Sequence, residues 1–64
     1  MNWINVNEKL PETDKKVAYK MENEKIDIGA YDGKNFWTID PISISEITHW
    51  MYLDDYNHEK GLKY

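Results

Sequence analysis

Between Val17 and Ala30 the chain alternates. Val17, Tyr19 and Met21 are separated by Ala18 and Lys20, and Ile26, Ile28 and Ala30 repeat the pattern around Asp27 and Gly29. A period of two puts successive side chains on opposite sides of a strand, so both runs read as β-strands. The polar stretch Glu22-Asn23-Glu24-Lys25 between them reads as a hairpin turn. With that whole stretch as the loop, Met21 faces Ile26, Tyr19 faces Ile28 and Val17 faces Ala30 on one apolar side. Lys20 then faces Asp27 on the other side.

Asp32-Gly33 supplies a second turn, since both central positions of a type I′ turn need φ > 0. The strand that follows is Phe36-Trp37-Thr38-Ile39. Trp37 and Ile39 share the face of Ile26 and Ile28, while Phe36 shares the other face with Gly29. The pattern therefore predicts a three-stranded antiparallel meander. Asp40-Pro41 ends it, and Ile42-Ser43-Ile44-Ser45 alternates but is short enough to be a loop. Ile47 to Leu53 is a further strand, with Ile47, His49, Met51 and Leu53 on one side and Thr48, Trp50 and Tyr52 on the other. Both sides are apolar, as in a strand covered on both faces or one that leaves a face for a partner. Near the amino terminus, Asn5 followed by Glu8 resembles a capping box and predicts a single helical turn before Pro11. Pro11 holds Leu10 extended, and Glu12-Thr13-Asp14 reads as a turn. The polar segment Asp54 to Tyr64 is expected to be frayed, or a short helix ordered only in a complex. The expected fold class is mainly β, or α+β with one short helical turn. Its core is a small antiparallel sheet of three to four strands packed by aromatic residues, in one domain over residues 1–64.

Size changes this picture in one respect. A chain of 64 residues buries only about 60% of its unfolded surface, and no cysteine is present to staple it by disulfides or zinc. Nine aromatic residues are left to build the core. Two-sided apolar strands in so short a chain predict association, with a homodimer expected. The formal charge is −4 and every basic residue is lysine, which argues against sequence-specific nucleic-acid reading, where arginine and a basic face dominate. No basic segment precedes an apolar run at the amino terminus, and no apolar run approaches 18 residues. Neither a secretory signal nor a membrane span is expected, and a cytoplasmic location is.

Catalytic chemistry finds little support. Gly29, Gly33 and Gly61 are isolated, so no phosphate-cradling loop exists. His49 and His58 lack a metal-ligand pattern around them, and Ser43, Ser45 and His49 lack a nucleophile-elbow context. Asp54-Asp55 and Glu22/Glu24 fall in turns or in the tail, where water keeps carboxylates near ordinary acidity. The protein is expected to be no enzyme and to carry neither cofactor nor metal. The aromatic excess remains. One reading is a tiny core built from large rings. The other is an exposed subset, Tyr31, Phe36, Trp50 and Tyr52, lying opposite the main apolar stripe and serving as anchors for a protein partner. Lys16 and Lys20 beside such a cluster could instead hold the phosphate of a small nucleotide stacked on the rings.

Trp3-Ile4-x-Val6-x-Glu8-x-Leu10-Pro11, then Val17, Gly29-x-Tyr31, Trp37 and finally Ile47-Thr48-His49-Trp50-Met51-x-Leu53 resemble the domain of unknown function 551 family. The resemblance covers Trp3 to Leu53, with its specific parts at the two ends. Where that family usually carries prolines after the His-Trp-Met segment, this chain has Tyr52, Asp54 and Asp55. The resemblance implies a short phage or prophage protein in the cytoplasm of a bacterial host, and brings no established activity. It favours a non-catalytic accessory protein, a small binding module that inhibits a host protein or defence system. The alternatives are a sponge for a nucleotide signal and a structural or assembly protein.

Overall fold

Among the residues described, Trp3 to Gly61, the computed structural model has six strands and one helix. They are β1 (Ile4–Asn5), β2 (Lys16–Met21), β3 (Ile26–Tyr31), β4 (Asn35–Trp37), β5 (Pro41–Ser43), β6 (Ile47–Tyr52) and α1 (Leu53–Lys60). A single 3-10 turn, Ile44–Glu46, joins β5 to β6.

The central hairpin is closed by a residue that alternation does not reveal. Glu24 sits in the left-handed region at φ 66°. Its N–H donates to the Met21 carbonyl at 2.8 Å, and the Met21 N–H donates to the Lys25 carbonyl at 2.9 Å. The Asn23 side-chain oxygen accepts from the Lys25 N–H at 3.0 Å. Residues 22–24 thus form a three-residue loop whose last member is left-handed, a common hairpin closure. Lys25 belongs to the pairing and not to the loop. The register is therefore Lys20↔Ile26, Ala18↔Ile28 and Val17↔Gly29, one residue away from the expected pairing of Tyr19 with Ile28. Because side chains alternate, that single step moves Ile26, Ile28 and Ala30 to the side opposite Val17, Tyr19 and Met21.

The strands form one sheet in the order β1-β6-β2-β3-β4-β5, and every neighbouring pair is antiparallel. The expected meander β2-β3-β4 is its middle part. The expected strand number was too small because β1 and β5, of two and three residues, carry no alternation long enough to read. β1 adds to β6 and not to its sequence neighbour, with Ile4↔Trp50 and Asn5↔His49. The predicted turn after it is present: Glu8 and Lys9 donate to the Asn5 carbonyl at 2.9 and 3.2 Å.

One face of the sheet holds the core. Val17, Tyr19, Tyr31, Phe36, Ile47 and Trp50 form the buried cluster, with Ile4, Val6, Met21, Ile42, Ile44 and Tyr52 packed against it. The Trp50 indole N–H donates to the Lys9 carbonyl at 2.8 Å, tying the amino-terminal segment across the sheet. Burial raises the Tyr19 phenol above its ordinary value, an effect that Thr38 opposes and the charge of Asp27 reinforces. The Tyr19 hydroxyl has no hydrogen-bond partner at bonding geometry among the described residues.

Among the described residues, the opposite face is covered by α1 over β6 and β2. α1 packs against these two strands, and Ala18 and Met51, which lie on that face, are buried. Tyr56 of α1 stacks edge-on against Trp3, 5.9 Å between centroids. The helix ends at Gly61, whose left-handed backbone (φ 73°) lets its N–H reach the carbonyls of Asn57 and His58. Of the segment from Asp54 expected to be frayed or helical in a complex, the residues up to Lys60 lie in α1 on the sheet of the same chain. Residues 62–64 lie outside those described. The accessible surface is 4592 Å², against about 4,300 Å² for an ordinary folded monomer of this mass. One copy therefore covers itself about as well as other small proteins do.

Candidate functional site

The aromatic residues expected at a surface are mostly inside. Phe36 and Trp50 are 0% exposed and Tyr31 is 5% exposed. Phe36 is stacked between Tyr19 and Tyr31, at 5.3 and 5.0 Å. Tyr52 is half-buried, with its ring edge-on to Trp50 at 4.9 Å, its hydroxyl accepting from the Glu12 N–H at 3.1 Å and the Lys15 ammonium 5.4 Å from its ring centroid. The Lys20 ammonium lies 4.7 Å over the Trp3 ring, while Lys16 is exposed at the other end of β2. The six residues do not form one surface. The reason is the one-residue register step: it places Tyr31 and Phe36 with Val17 and Tyr19, so the supposed second stripe is the core.

The same step leaves a different set outside. On the helix-bearing face, β3 and β4 keep large apolar side chains exposed among the described residues. Ile26, Ile28 and Trp37 are 37%, 44% and 39% exposed, and Ala30, paired with Trp37 across the strands, is half-buried. Ile28, Ala30, Trp37 and Lys16 line a shallow cleft of about 320 Å³ whose remaining wall is Gly29 and Thr38. No feature of the sequence pointed to these residues as exposed, because a left-handed Glu24 is not signalled by a glycine or asparagine at that position.

Trp37 is held in place from the β3–β4 turn. Asp32 caps that turn, one carboxylate oxygen accepting from the backbone N–H of Lys34 and Asn35 at 2.8 and 2.7 Å. Its other oxygen accepts from the Trp37 indole N–H. These bonds, led by that from Asn35, hold the Asp32 carboxyl below the usual carboxylate range. A lowered value in the folded state means that the turn's stabilisation is complete above the ordinary aspartate value and lost as pH falls through the lowered one. The window thus lies below about pH 4. Lowering the pH from about 5 to about 2 is expected to move the Trp37 indole N–H resonance in a proton–nitrogen correlation spectrum, and Asp32→Asn to flatten that titration. An indole signal indifferent to pH in the parent protein would show that Asp32 does not position the ring.

A larger groove of about 490 Å³ runs between Lys15, Lys16, Tyr52, Leu53, Asp54 and Asp55. Its two carboxylates offset the charge of its two ammonium groups, and Lys15 is already paired with Glu12 at 2.9 Å. That pair lowers the Glu12 carboxyl and raises the Lys15 ammonium relative to their ordinary values. Ser43 and Ser45 stand hydroxyl to hydroxyl at 2.9 Å, and the Ser43 oxygen caps the 3-10 turn by accepting from the Ser45 N–H. The His49 Nδ1 is buried with no hydrogen-bond partner among the described residues. Among the described residues no three His, Cys, Asp or Glu side chains gather as a metal site, and no helix is long and apolar enough to cross a membrane.

No curated protein and no solved structure matches the chain. The model of one family, described as protein of unknown function (DUF551), matches residues 2–55, a span that runs from β1 through all six strands into the first turn of α1. By that match, this 64-residue chain belongs to the DUF551 family.

Proposed function

We propose that this protein is a non-catalytic binding module of phage or prophage origin that acts on a protein of its bacterial host. Its docking surface is the bare half of the outer sheet face, Ile26, Ile28, Ala30 and Trp37. The observation that carries the reading is the contrast between a core closed to ordinary monomer standards and a contiguous apolar strip left beside α1. Exposed aliphatic groups around a positioned tryptophan have the make-up of an interface centre. Ser45 and His49 share a groove of about 360 Å³ with Glu22 and Thr48, while the carboxylates of α1 line two others, beside Lys15 and beside His58.

Ile28→Lys tests this reading, because Ile28 is among the most exposed of the strip's side chains and contributes little to the core. Its stability is expected to change by about 0.5 kcal/mol or less, seen as an almost unchanged thermal midpoint. Affinity capture from host cells with the parent protein should retain a specific host protein that Ile28→Lys loses. Equal capture by both, with equal stability, would remove the face from the account of function.

A further inference from the structure

We infer that the occupant of this face is an amphipathic α-helix of the partner protein, lying beside α1 with an acidic flank toward Lys16. The inference rests on the docking reading above and narrows it to one kind of partner segment. Its basis is the width of what is bare. Neighbouring strands are about 4.8 Å apart and helices pack about 8–10 Å apart, so one helix covers about two strands. α1 occupies β6 and β2. The next two strands in the sheet, β3 and β4, carry the exposed residues. The uncovered width is that of one more helix in the same layer.

The strip's contents suit such an occupant. Ile26, Ile28 and Ala30 run along β3 in steps of about 6.8 Å, and the small Ala30 between Lys16 and Trp37 opens the cleft of about 320 Å³. A helix places apolar residues at i, i+3, i+4 and i+7 on one side. It can seat one large side chain in the cleft and lay the others over Ile28 and Ile26. An added strand would not reach them. The sheet's free edges are β1 and β5, away from Ile26 and Ile28, and β5 begins with Pro41, which has no N–H to offer. Charge favours a foreign segment over a second copy. The chain carries a net charge of −4, yet the lip of the cleft is Lys16 and Lys20 faces Ile26 across the strands on the same side. Acidic residues flanking the helix's apolar stripe would meet those ammonium groups.

The test is selection of random peptides, long enough to form about four helical turns, displayed on a carrier and panned on the full-length protein. Binders to Ile28→Lys are removed by counter-selection. Supporting outcomes are enriched sequences with apolar residues at helical spacing and Asp or Glu beside them. A synthetic version should gain helical circular dichroism on mixing, shift the Trp37 indole resonance, and bind Lys16→Glu about fivefold or more weakly. Three results would overturn the inference: no enrichment that depends on Ile28, enrichment of alternating or proline-rich sequences, or a sedimentation dimer of the parent protein abolished by Ile28→Lys, which makes a second copy the occupant. Host capture that still depends on Ile28 would leave the docking surface standing while the helix is withdrawn. Capture indifferent to Ile28 would remove both.

Discussion

Gly29→Ala is expected to leave the protein largely unfolded. A Cβ at position 29 would lie 1.9 Å from the Trp37 carbonyl oxygen and 2.7 Å from its carbon. Both are backbone atoms, so no side-chain rotation relieves the clash, and β4 would have to leave β3. The cause is close approach alone: the glycines with positive φ are Gly33 and Gly61, so Gly29 does not need glycine for its backbone angles. A domain of this length has about 3–10 kcal/mol of stability in total, and forcing strands apart costs about 3 kcal/mol or more. Urea titration followed by far-ultraviolet circular dichroism measures the loss. Gly61→Ala is the comparison, since nothing lies within 4 Å of its Cβ and its left-handed angle costs only about 1 kcal/mol. If the two variants prove equally stable, β4 does not cross Gly29 as described.

Trp50→Ala should be nearly as damaging. Trp50 is among the largest fully buried side chains, at 0% exposure, it packs edge-on against Tyr52, and its indole N–H is the donor to the Lys9 carbonyl. Truncating a buried tryptophan costs about 3–5 kcal/mol. Leaving that carbonyl without its donor adds about 1 kcal/mol or more. Trp50→Phe keeps much of the packing and loses the hydrogen bond, so its urea midpoint should fall between those of the parent and Trp50→Ala. This outcome also separates the two roles that the aromatic residues could have had. A surface anchor at position 50 would tolerate alanine with stability unchanged, and a core residue cannot.

Much of the architecture is legible in the chain. The alternation of Val17, Tyr19 and Met21, the turn at Asp32-Gly33 and the apolar run from Ile47 each mark an element that exists, but that turn is not type I′: it closes between Asp32 and Asn35 with Gly33 alone at positive φ. Phe36 and Gly29 share a face as expected, and Trp37 lies with Ile26 and Ile28. β1 and β5 escaped notice because a strand of two or three residues is defined by its partner's hydrogen bonds and not by its own pattern. Alternation puts Ile39 in a strand, yet β4 ends at Trp37 and Ile39 is 91% exposed, because the chain bends away after Trp37, where its carbonyl crosses Gly29. The candidate surface was missed for a related reason. A four-residue hairpin loop turns Tyr31 and Phe36 outward, and the three-residue loop that forms turns them into the core.

Sequence alone determined that this is a β-rich, cysteine-free chain whose core must come from aromatic rings, because composition and a period of two are local properties. Tertiary structure decided which apolar stripe is buried. The difference between the two faces of β3 rests on Glu24 turning left-handed, a choice of about 1 kcal/mol that neighbouring hydrogen bonds and the packing of a whole sheet readily outweigh. Where α1 docks then divides the other face into a covered half and an open one, and the open half is the surface offered to a partner.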